Sequence, residues 1–130
     1  MNLARSNAII SILTDDDLTG QEGRFVRMSN ADTVCLVDSA LEPAFGFLLT
    51  GGKAYERVTV AIPGAFAGTV RVKLAGTVGV GDRLQLTADG RVQSYDNEFP
   101  RMVVGVALEA GVTGELVEAA LRPPTYTPAA

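Results

Sequence analysis

The sequence predicts an all-β fold: a small, compact, barrel-like domain of about eight or nine short strands. Three observations predict it. Apolar and polar residues alternate through the middle of the chain, the period of a strand with one wet face. Turn signals recur about every ten residues, and fourteen glycines and six prolines supply them. The 130 residues, 47% hydrophobic and 20% charged, make about one domain, able to bury roughly two thirds of its unfolded surface.

Residues 1–20 stand apart as an N-terminal arm. An apolar stretch from Leu3 to Leu13 runs into Asp15, Asp16 and Asp17, then Gly20 and Gly23. Residues 21–122 read as the barrel. Phe25 to Met28 and Thr33 to Val37 form a pair of strands joined through residues 29–32. A short helical turn is expected over 38–43. Phe45 to Leu49 is apolar throughout, which fits a strand buried on both faces. Val58, Val60 and Ile62 share one face until Pro63-Gly64 breaks the strand. Val70, Val72 and Leu74 share another, opposite Thr69, Arg71 and Lys73. Residues 76–81 turn. Residues 83–87 alternate again, and Asp89-Gly90 is a hairpin signal because both residues tolerate positive φ. Met102 to Leu108 is a second apolar run, with Gly105 marking a bulge or a close backbone approach. Residues 115–121 suit a last strand or one or two helical turns. Residues 123–130, Pro-Pro-Thr-Tyr-Thr-Pro-Ala-Ala, are expected to form an extended tail that cannot continue a sheet.

Charge and reactive residues argue against catalysis. Eleven Lys and Arg face fifteen Asp and Glu, a net charge of −4, without the basic excess of a nucleic-acid or anionic-membrane binder. There is no histidine, which removes Ser-His-Asp and Cys-His catalysis and every His-containing zinc site. Cys35 is alone. It can form no disulfide within the chain, and its apolar strand context suits a small core residue. The Asp15–Asp17 run lacks the alternating oxygen ligands of a calcium loop and reads as a solvated linker. Gly76, Gly79 and Gly81 lack a following Lys-Ser/Thr and a helix, so they read as a turn rather than a phosphate cradle. Asp38, Asp82 and Asp89 sit at strand ends or in turns, where aspartate is favoured locally. Arg71, Lys73, Arg83 and Arg91 on one sheet face read as a solvated face. No catalytic residue, metal or cofactor is expected. No apolar run approaches the ~20 residues of a spanning helix, and without an export signal synthesis is expected in the cytoplasm.

The second half carries an ordered set of motifs: Gly79-Val80-Gly81-Asp82-Arg83-Leu84, Ala88-Asp89-Gly90-Arg91-Val92, Val104-Gly105-Val106-Ala107-Leu108-Glu109-Ala110-Gly111 and Gly114-Glu115-Leu116-Val117-Glu118. In this order they resemble the capsid cement, or head decoration, proteins of tailed bacteriophages, of the lambda-type decoration class. The resemblance runs over about residues 20 to 122. It implies a compact β-tulip-like body with an N-terminal arm, and a structural protein of the virion rather than an enzyme. It implies the phage major capsid protein as partner, a homotrimer on the outer surface of the expanded head, and a role in bridging neighbouring subunits against packaged DNA.

Leu3, Ile9, Ile10, Ile12 and Leu13 are the capsid-contact candidates, because an extended apolar arm can add a strand to an exposed sheet edge. On this reading, removing residues 1–14 leaves a folded body. Residues 8–13 as the first strand of the barrel is the open alternative. Two other functions stand beside the decoration reading. One is a carrier-type or ligand-binding β domain, which needs a modifiable lysine at a hairpin tip, with Lys53 better placed than Lys73. The other is a tail or baseplate module.

Overall fold

The computed structural model describes residues 8–42, 44–66, 68–96 and 101–127. Among these are ten strands and no helix. The strands are β1 (Ile9–Thr14), β2 (Phe25–Asn30), β3 (Thr33–Leu36), β4 (Gly46–Thr50) and β5 (Arg57–Ala61), then β6 (Thr69–Lys73), β7 (Arg83–Leu86), β8 (Val92–Ser94), β9 (Arg101–Ala107) and β10 (Leu116–Thr127).

They form the compact, barrel-like all-β body expected, built as a closed barrel and a second, curled sheet. The first five close into a barrel in the order β1-β3-β2-β4-β5. The last five form an antiparallel sheet in the order β6-β10-β9-β7-β8. This sheet curls until its two edges nearly meet. Leu74, just after β6, bridges Val92 of β8, and Ala75 N donates to Val92 O at 2.7 Å.

Alternation places the side chains as the sequence expects. Val58 and Val60 of β5 point inward, as do Val70 and Val72 of β6, while Thr69 and Arg71 face solvent. Two cores result. The barrel interior holds Leu18, Val26, Val34, Leu48, Val58 and Val60. The second core lies between the outer wall of the barrel and the concave face of the second sheet. Phe25, Phe47 and Ala61 enter it from the barrel; Val72, Leu74, Leu84, Val104 and Val117 enter from the sheet. The strand run 45–49 is thus buried on both faces, because β4 is the wall shared by the two cores. Phe25 and Phe47 meet edge to face, with ring centroids 5.4 Å apart at 75°, the geometry that aromatic quadrupoles favour.

Backbone bonds stitch the halves together. Phe25 N donates to Gly90 O at 2.8 Å, and Lys73 N to Gly23 O at 2.9 Å. Gly90, at φ +84, turns the β7–β8 hairpin, and a Cβ there would lie 2.7 Å from Phe25 O. The hairpin needs glycine twice over, for its turn and for its contact with β2.

Several boundaries differ from the sequence reading. The arm does not extend to residue 20. Ile9 to Leu13 pair antiparallel with Ala61 to Arg57, so of the two readings left open for residues 8–13 the structure gives the strand. The Asp15–Asp17 run is a turn leaving β1, not a linker. The tail does not begin at 123. Pro123 and Pro124 fall in a register shift between Leu121 and Thr125, after which Thr125 to Thr127 rejoin β9 opposite Val103 to Arg101. The prolines interrupt the ladder without ending it, as prolines at bulges can. Residues 38–42 turn without forming a helix, and 116–121 are strand.

Candidate functional site: an open seam in the barrel

The barrel is closed by one of its two shortest pairings. β1 meets β3 in parallel at only two positions, Leu13 opposite Thr33 and Thr14 opposite Val34. The cause lies in the β2–β3 hairpin. Its turn at Ala31 and Asp32 is tight, with Asn30 Oδ1 accepting from Asp32 N at 3.1 Å and the Ser29 and Thr33 hydroxyls 2.6 Å apart. β3 therefore starts level with Leu13, and among the described residues no strand flanks Ile9–Ile12 on that side.

The hydrogen-bond parity of β1 follows from its ends. Ile62 N donates to Ala8 O at 2.8 Å, and Thr14 N donates to Glu56 O at 3.0 Å. Even-numbered residues thus turn their peptide groups toward β5, and odd-numbered ones turn theirs away. The amides of Ile9 and Ser11 face the seam. Ser11 O, on the same side, accepts from Arg57 Nη1 at 3.2 Å.

The seam opens into a groove of about 460 Å³. Ile10, Ile12 and Phe45 line it and also pack on the barrel core. Asp32 and Arg57 stand on its rim. Of the five predicted contact residues, Ile10, Ile12 and Leu13 border this groove. Ile9 is 42% exposed on the outer face. Leu3 lies outside the described residues.

The other sequence candidates resolve into local structure. Asp17 Oδ1 accepts from Thr19 N at 3.0 Å, and these Thr19 hydrogen bonds hold its carboxyl below the ordinary range. Gly79 N donates to Asp82 Oδ2 at 2.8 Å, so that amide is already committed within the turn. Asp38, Asp82 and Asp89 do not converge: Asp38 lies 3.5 Å from Arg27, Asp89 lies 2.8 Å from Arg91, and Asp82 also accepts from Ser94. Arg71 reaches Leu116 O and Glu109, and Arg83 stacks on the Tyr95 ring at 4.6 Å. Both guanidinium groups thus have local partners. Cys35 is half-buried rather than in either core, and burial pushes its thiol upward, away from the reactive thiolate. Among the described residues no group of three or more Cys, Asp and Glu is placed to hold a metal ion.

Two exposed features escaped sequence reading. Tyr55, at φ +65 and 74% exposed, sits at the β4–β5 tip, where its N donates to Thr14 O. Val80 and Val112 are exposed on two turns that Val78 and Gly111 bridge. A lone apolar residue in a turn carries no periodic signal, so neither feature could be read from the pattern.

No protein-family model matches the chain, and no curated protein matches it. Among solved structures it is similar to "head fiber gp8.5 N base in bacteriophage phi29", with a TM-score of 0.69. The match has 16% identity and covers 90% of this chain and 95% of that one. The two chains share a fold over that span.

Proposed function

We propose that this chain is a structural protein of a bacteriophage virion that attaches to the head. The observation that carries the reading is the fold shared with a phage head fiber base over nearly the whole of both chains. The ordered motifs of residues 79–118 lead toward phage head proteins independently. The local chemistry is in keeping with a non-catalytic role, since the carboxylates of Asp17, Asp82 and Asp89 are engaged in turns and an ion pair.

In finer terms, the protein sits on the outer surface of the expanded head, bridges neighbouring major capsid subunits and acts as a trimer there. Closed cyclic symmetry matches a three-fold site, and several modest contacts from one trimer act together. The acidic composition, a net charge of −4, suits accumulation in the host cytoplasm before docking.

The test is co-sedimentation of the purified protein with expanded heads that lack it, followed by imaging. Saturable binding at three-fold positions is expected. Binding only to tails, or no binding, refutes head attachment; isolated copies away from three-fold positions refute the trimer.

A further inference from the structure

We propose that the seam beside β1 is a strand-acceptor site, filled on the virion by an extended, uncharged segment of the head's coat subunit. The proposal rests on the head-attachment reading and adds to it the place and chemistry of contact.

The vacant groups specify the kind of ligand. The Ile9 and Ser11 amides point the same way from alternate residues of a strand, at the spacing that an extended backbone matches. Edge amides of this sort take main-chain partners, and the pockets beneath supply side-chain selection. Here the floor is Ile10, Ile12 and Phe45, so the incoming strand carries apolar residues at alternate positions. The rim holds one acid, Asp32, and one base, Arg57, and so favours no net charge. The incoming strand lies in the row that β3 begins only at Thr33, completing the barrel wall and covering core side chains left half-exposed.

Size decides between an extended segment and a second copy. A stable interface between globular partners buries about 1,200–2,000 Å². Among the described residues the unpaired edge spans only Ile9–Ile12, too short a stretch to hold two copies together alone. Strand addition concentrates its affinity in main-chain bonds and suits so narrow a footprint. The Arg57 bond to Ser11 O occupies one of that carbonyl's two lone pairs and leaves the other for an incoming amide.

One substitution separates the seam from the fold. Ser11→Pro removes an amide that faces away from β5, so the β1–β5 ladder keeps its bonds; proline is tolerated on an edge strand in this orientation. Ser11→Ala keeps the amide. The expected result is that Ser11→Pro melts within a few degrees of wild type and binds heads at least tenfold more weakly, while Ser11→Ala binds normally. Should Ser11→Pro fail to fold, amide exchange on wild-type protein carries the test: the peptide covering residues 8–13 gains protection on head binding. Wild-type binding with an unaffected, folded Ser11→Pro overturns the seam alone, as does unchanged protection. Slow exchange at Ile9 and Ser11 in the free protein shows the edge already covered by this chain or a second copy, and overturns it too. Failure of the wild type to bind heads overturns the head-attachment reading and the seam with it.

Discussion

Phe47 and Leu48 are neighbours in sequence and are buried in different cores. Phe47 meets Phe25 between barrel and sheet, while Leu48 fills the barrel interior. β4 is therefore the partition between the two units, and damage on either face is felt across it. Phe47→Ala should cost about 3–5 kcal/mol and Leu48→Ala about 2–5 kcal/mol. Denaturant unfolding followed by far-UV circular dichroism and by tyrosine fluorescence should give one coincident transition in each variant. Two separated transitions would show that the cores unfold independently.

The turns on either side of β7 offer a paired glycine test. Gly81 and Gly90 both have positive φ, but a Cβ on Gly81 meets nothing within 4 Å, whereas one on Gly90 meets Phe25 O. Gly81→Ala should cost about 1–2 kcal/mol, the backbone penalty alone. Gly90→Ala should cost clearly more. Equal losses in thermal unfolding would mean that the hairpin contact with β2 contributes nothing.

Asp89 gives this hairpin a pH dependence. Burial by itself would push its carboxyl upward, but hydrogen bonds from Thr87 Oγ1 and Arg91 N, with the Arg91 charge, more than offset that and lower it. A depressed folded-state value stabilises above the unfolded one. That contribution is complete above the ordinary aspartate range and disappears as the pH falls below about 4. Asp89→Asn should flatten the acid limb of the stability curve and lower stability near neutrality. An unchanged acid limb in urea titrations from pH 7 to 3 would exclude Asp89 as a contributor.

The ends of the described fold are structural. Deleting residues 1–14 removes β1, which supplies the antiparallel partner of β5 and, among the described residues, the pairing with β3 that closes the barrel, so the product should be unfolded or molten by near-UV circular dichroism. This reverses the expectation drawn from composition. Truncation after Arg122 should also destabilise, by a few kcal/mol at about 1 per ladder bond, because Arg101 to Val103 lose their pairing with β10. A truncated protein with wild-type melting would show that this last pairing is dispensable.

Much of the architecture was legible because its cause is local. Val58 and Val60, and Val70 and Val72, alternate with polar residues since each strand has one wet face. The Asp89-Gly90 turn was legible because only permissive residues fit it. The run 45–49 announced burial on both faces, though not that the faces belong to different cores. Pro123-Pro124 misled because a bulge and a chain end look alike in sequence. Asp15–Asp17 misled because acidic residues serve turns and linkers equally. The seam was only half legible. The apolar contact residues stood out, but the opening beside them depends on where β3 begins relative to β1, a non-local register that no single strand records.

The order of pairing along the chain also governs how the protein is made. Every strand of the barrel has been synthesised by Ala61, whereas the second sheet waits for β10, which lies between β6 and β9. On the ribosome the barrel can close first. Until β10 arrives, the nascent barrel leaves Phe25 and Phe47 uncovered on a greasy outer wall, and that interval is when this chain is most prone to aggregate.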